Sequence, residues 1–208
     1  VATEELSKAS LGIGGSLITR PEILTRALVK GGTEEQKQKW LPKLATAEVM
    51  PAVAVTEPDY GSDVAGIRTR AVRDGDDWVI NGQKVWNTSA DHADMGILVA
   101  RTDWGAVKHA GLSYFLIDMT QPGVDVRPLR EMTGDIAFNE VFFSDARVAH
   151  ADLLGDEGDG WRVGMTTLSH ERDPDNVGLG ETAAFGSVDL DVTVNDHRSA
   201  LSSKIDGF

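Results

Sequence analysis

The chain of 208 residues contains no cysteine. Disulfides and cysteine-ligated zinc sites are therefore excluded. Positive charge is scarce: 20 Lys and Arg stand against 33 Asp and Glu, a net charge of −13. Such a balance argues against nucleic acid held through its phosphates. Long apolar runs are missing too. "GILVA" at 96–100 falls far short of the roughly 20 residues that a membrane helix needs. The opening "VATEELSKAS" lacks the basic stretch and apolar stretch of a signal peptide, and a soluble, cytoplasmic protein is expected. No G-x-G-x-x-G follows a strand-like run, so a nicotinamide-type dinucleotide fold is not supported. His92, His150 and His170 are scattered without ligand spacing, and no metal site is expected. "GDEGDG" at 155–160 lacks the alternating ligands and closing Glu of a calcium loop. It reads as a turn before a helix. Asp91 and Asp94 read as solvated loop carboxylates.

What the chain does have is 41% apolar residues, enough to bury a core. Over 1–49 the pattern is helical. Leu17, Ile18, Ile23, Leu24, Ala27 and Leu28 recur at helical spacing, with Pro21 at a first-turn position and Gly31-Gly32 as the stop. Thr33-Glu34-Glu35-Gln36 has the spacing of a capping box. A short helix carrying Trp40, Leu41 and Leu44 follows, and Pro42 is expected to limit or kink it.

From 50 to 154 the runs become β-type. "DDWVINGQKVWNT" reads as a hairpin turning at Asn81-Gly82. Strand-like runs follow at 95–102, 111–119, 123–130 and 137–148. Short strands at this spacing predict an antiparallel barrel or sandwich. From 155 to 208 comes an amphipathic helix at 161–172. After it lies a tail rich in Asp, Ser and Gly that reads as loosely attached, with one candidate strand, "VDLDVTV". The expected class is thus α+β: a central antiparallel barrel or sandwich flanked by helices.

"AVAVTEPDYGSDVAG" (52–66) leaves a buried strand for a polar, glycine-containing loop. Alone it is an ordinary strand exit or the rim of a binding site. Glycine lets a ligand approach the backbone, and Arg68, Arg70 and Arg73 nearby make a local positive patch suited to a phosphate-bearing small molecule.

The order "VTEPDYGSD", "INGQKVWNTSADHAD", "FNEVFFSDARV", "LLGDEGDGWRVGMTTLSHER" resembles the acyl-CoA dehydrogenases. The likeness runs from about Gly32 to Arg172 and covers most of the chain. It implies the end of an N-terminal helical domain (1–49), a middle β-barrel domain (50–154) and the start of a C-terminal helical domain (155–208). It implies FAD as cofactor and an acyl-CoA thioester as substrate. In that reaction a Glu takes the α-proton, the β-hydride passes to flavin N5, and the electrons pass on to an electron-transferring flavoprotein. It also implies a homo- or hetero-oligomer. By the same resemblance Val53, Val55, Thr56, Gly61 and Ser62 form the first flavin-contacting stretch, with Ser62 also serving the substrate. Trp86, Asn87 and Thr88 form the second: Trp86 packs on the ring, Asn87 contributes its backbone, and the Thr88 hydroxyl lies near N5. Arg172 reaches the pyrophosphate across a subunit contact. Glu171 stands where the isovaleryl and long-chain members carry their base. The other reading of Glu171 is a surface carboxylate paired with Arg172. A truncated, non-catalytic subunit, or an oxidase on the same fold, stays open beside the dehydrogenase.

Overall fold

Why β-type runs give this sheet is clearest in its two most buried strands, β4 (Met95–Arg101) and β5 (Leu112–Asp118). Successive side chains of a strand point to opposite faces. Leu98, Ala100, Phe115 and Ile117 enter one apolar cluster, enclosed by the curving sheet. Met95, Ile97, Val99, Leu112, Tyr114 and Leu116 enter a second, between sheet and helices. Both faces are covered, so these runs are nearly continuous in apolar residues.

The structure, a computed structural model, describes residues 2–10 and 24–172, and the side chains of 4–10 and 24–166. Helix α1 (Ala2–Ala9) falls in one of two units of the chain. The second unit, Arg20–Ser169, carries α2 (24–31), α3 (Glu34–Ala45), the sheet, and most of α4 (Gly160–Arg172). The remaining strands are β1 (Pro51–Ala54), β2 (Arg70–Asp74), β3 (Asp77–Thr88), β6 (Val124–Leu129) and β7 (Phe138–Ala149). They run β1-β4-β2-β3-β7-β6, with β5 on β4. The sheet is a half-barrel, and the class is α+β as expected. It is mixed rather than purely antiparallel, because β1 and β2 both pair with β4 in parallel.

Local chemistry explains the helix boundaries. The Gly32 N–H bonds the Leu28 carbonyl at 2.8 Å and closes α2. Thr33 then caps α3: Gln36 N–H donates to its hydroxyl at 3.2 Å, and Thr33 N–H donates to Gln36 Oε1 at 2.9 Å. The box spares two donors that a helix start leaves unpaired. Gln36 Nε2 also donates to the carbonyls of Ala151 and Leu153, which ties the cap to the loop after β7. Pro42 does not end α3, which continues to Ala45.

The hairpin expected at Asn81-Gly82 is not there. Both residues lie inside β3, a single twelve-residue strand. The true β2–β3 turn is Gly75-Asp76, between the paired Asp74 and Asp77. Gly75 has φ +62°, the sign that glycine supplies at the first position of a two-residue II′ turn. Asn81 instead serves a bulge. Its side chain exchanges hydrogen bonds with Asp145, a residue at φ +54°. Gly82 is required by close approach: a Cβ there would come within 2.7 Å of the Thr69 Cα.

Leu17, Ile18, Pro21, Ile23 and the tail from 173 lie outside the described residues. No described helix is long and apolar enough to cross a membrane.

Candidate functional site

The two stretches singled out in the sequence meet at the end of the half-barrel. Thr56 leaves β1, and its carbonyl accepts from Val85 N–H at 2.9 Å. Two side chains of β3 reach inward to the same segment. Lys84 Nζ donates to the Val55 carbonyl at 2.8 Å, and Asn87 Nδ2 donates to the Val53 carbonyl. Between them stands Trp86. It has φ +62° and a 58% exposed side chain. Bulky residues rarely adopt this backbone region, and such strain persists only where surrounding contacts over-determine it. Here β3 carries one extra residue between Lys84 and Asn87 relative to β7, a bulge of the kind that re-aims a side chain. The indole and Phe138 rings meet in a T-shaped contact with centroids 5.9 Å apart.

The remaining predicted residues divide. Val53 and Thr88 are exposed, and Val55 and Thr56 half-buried. The Asn87 side chain is buried and faces inward, with Oδ1 left without a partner. Its backbone carbonyl accepts from Asn139 Nδ2 at 3.1 Å. Gly61 and Ser62 lie in an exposed loop. Among the described residues a Cβ at Gly61 would meet nothing within 4 Å, so none of them demands that glycine. Gly66 is the constrained one, with the Tyr60 ring 2.5 Å from where its Cβ would sit. Glu171 and Arg172 belong to α4, but their side chains lie outside those described, as does that of His170.

Sequence reasoning missed Glu57 and Lys84. Lys84 is fully buried and bonds Glu57 Oε1 at 2.9 Å. The Glu57 carboxylate also accepts from the backbone N–H groups of Arg68 and Thr69 at 2.7 and 2.8 Å. Burial is the largest influence on Lys84. It lowers the ammonium pKa to about 8, against the opposing pull of Glu57. Burial also presses the Glu57 pKa upward, but the Lys84 charge and the bonds from Thr69 and Arg68 outweigh it and hold it below the usual carboxylate range. A Lys at an inward position of an alternating strand was the available signal. Asp91 and Asp94, expected as solvated, are exposed yet engaged: Asp94 accepts from Met50 N–H at 2.8 Å and Asp91 from Asn139 at 3.2 Å. Around the loop, Arg68 lies over Tyr60 and Lys108 pairs with Asp63 at 2.9 Å. Arg73 bonds His150. Among the described residues no three His, Asp or Glu gather to hold a metal.

An exposed aromatic with a left-handed backbone thus stands at a strand bulge, beside a polar strand exit. Comparison with known proteins places the chain in a family. The model described as "Acyl-CoA dehydrogenase, middle domain" matches residues 52–146, and that described as "Acyl-CoA dehydrogenase, N-terminal domain" matches 1–48. The chain belongs to the acyl-CoA dehydrogenase family. It is 45% identical over 157 residues to acyl-CoA dehydrogenase IpdE1 of Mycobacterium tuberculosis, covering 76% of this chain and 41% of that protein. The crystal structure of an acyl-CoA dehydrogenase from Geobacillus kaustophilus matches with TM-score 0.73 and 36% identity, over 98% of this chain and 58% of that one. The ChsE4-ChsE5 complex of Mycobacterium tuberculosis matches with TM-score 0.66 and 36% identity, over 71% and 39%. The chain spans less than half the length of IpdE1.

Proposed function

We propose that this chain forms the flavin-holding part of an enzyme that dehydrogenates an acyl-CoA thioester between its α and β carbons. The observation that carries the reading is the outward, left-handed Trp86, bracketed by Lys84 and Asn87. The residues present fit FAD. A flat aromatic ring is matched by an exposed indole face, and the polar pyrimidine edge of a flavin by the backbone and hydroxyl of Thr56 at the strand exit. Bound FAD supplies a two-electron acceptor for the β-hydride.

In this reading Val53, Val55 and Thr56 line the cofactor edge, and Trp86 packs on its ring. Asn87 contributes its backbone, and Thr88 its exposed hydroxyl. Gly61 and Ser62 lie on the phosphate and thioester side, where Arg68 adds positive charge. Glu171 takes the α-proton, for which an apolar surrounding would raise its pKa. Arg172 serves the pyrophosphate from a neighbouring subunit. The domain limits 1–49, 50–154 and 155–208 belong to the same reading, as do an oligomeric assembly and an electron-transferring flavoprotein as electron acceptor.

In a second reading these residues are a truncated or non-catalytic subunit or fragment of such an enzyme, and turnover requires parts outside them. An anaerobic titration of the FAD-loaded chain with acyl-CoA thioesters tests the first. Bleaching of the flavin band supports it. A bound flavin that no thioester bleaches favours the second.

A further inference from the structure

The mechanism leaves one buried charged pair unused, Glu57–Lys84. Replacing such a pair with apolar residues of similar volume is often neutral or stabilising, so its presence is weak grounds for a stabilising role. What an apolar pair would not reproduce is its backbone bonding. Lys84 holds the Val55 carbonyl; Glu57 holds the N–H groups of Arg68 and Thr69. Three buried or half-buried backbone groups from two segments thus converge on two side chains. Those segments are the exit of β1 and the entry to β2, the two sides of the loop carrying Gly61 and Ser62. Glu57 and Tyr60 close the turn at its base by exchanging backbone bonds at 3.1 Å each way.

The pair also acts on Trp86. Strands β1 and β3 are not laddered to each other. Besides the Val85–Thr56 backbone bond, the links between them at this end are Lys84 to Val55 and Asn87 to Val53. Lys84 stands two residues before Trp86 and Asn87 one after. Pinning both inward leaves Trp86 on the outer face of the bulge in its left-handed conformation. Removing Lys84 frees one side of that grip.

We infer that Glu57 and Lys84 are positioning residues for the cofactor rim: they fix the Val55–Glu57 backbone and the outward Trp86 in the geometry that receives the flavin, an inference that rests on the flavin reading above. Neither side chain touches the cofactor. Lys84 is 0% exposed and Glu57 6%, so their effect passes through Val55, Thr56 and Trp86.

The test uses the full chain and FAD itself as probe. Lys84→Met and Glu57→Gln are combined, so that no unpaired charge is left buried. The thermal midpoint without FAD reports folding. The dissociation constant for FAD, and the visible circular dichroism of the bound flavin, report positioning. The expected result is a folded double variant whose FAD dissociation constant rises at least tenfold and whose bound-flavin dichroism changes. Should that double variant fail to fold, Lys84→Gln with Glu57→Gln, a neutral pair whose amides can hydrogen-bond, carries the same expectation. A folded variant that binds FAD like the parent, with the same dichroism, overturns the inference and leaves the flavin reading standing. A parent chain that binds no FAD overturns both.

Discussion

Trp86 gives the sharpest prediction, because one substitution separates its backbone from its side chain. Its φ of +62° costs an L-residue about 1–2 kcal/mol and glycine almost nothing. Trp86→Ala and Trp86→Gly lose the same indole and the same edge contact with Phe138. The difference between them is therefore backbone alone. Glycine loses about 0.4–1 kcal/mol more than alanine through the entropy of its unfolded chain. The balance favours Trp86→Gly by about 1 kcal/mol, the reverse of the usual order inside a strand. In urea, with a slope of about 2 kcal/mol/M, the Gly variant unfolds about 0.5 M later than the Ala variant. Both variants lose flavin affinity alike, since the ring face is gone from each. Equal midpoints, or a later midpoint for Ala, would refute the strain assigned to this bulge.

Trp86→Ala weakens FAD retention far more than Trp78→Phe, because Trp78 is a core residue, 2% exposed and edge-on to Phe115; equal losses in a flavin-release assay count against the stacking role. Gly82→Ala destabilises by about 2 kcal/mol, since its Cβ would press on the Thr69 backbone; a urea midpoint like the parent's would mean that β3 does not crowd Thr69 at this position. The pKa of Lys84 is lowered to about 8 in the fold from 10.5, so between those values the unfolded chain binds more protons and stability rises with pH. Parent stability measured against the Lys84→Met/Glu57→Gln variant should therefore climb from pH 8 to 10.5, and a flat difference means the ammonium is solvated. Glu171→Gln abolishes α-proton exchange of a bound acyl-CoA while flavin stays bound; undiminished exchange, followed by deuterium incorporation, moves the base elsewhere.

The elements that sequence reading recovered are those whose signal is local. The capping box at Thr33 and Gln36 needs four adjacent residues and no partner. The nearly continuous apolar runs at 95–101 and 112–118 report burial directly. Asn81-Gly82 misled because the same dipeptide answers two physical needs. In a turn it supplies positive φ, whereas in β3 its glycine clears Thr69 and its asparagine caps a bulge 64 residues away in sequence. The parallel pairing of β1 with β4 was equally illegible, because strand alternation carries no direction. At the candidate site, the stretches around Thr56 and Trp86 were legible as motifs. Their juxtaposition was not, because it runs through Lys84 and Asn87, whose inward aim appears only once the bulge is placed.

The central claim is that two strand ends, pinned to each other, make a flavin rim with Trp86 on its face. Titrating FAD with the purified chain and following flavin fluorescence tests it most directly. The account predicts saturable quenching that Trp86→Ala largely removes. Flavin emission that stays at its free value through the titration, or quenching that Trp86→Ala leaves intact, would contradict it.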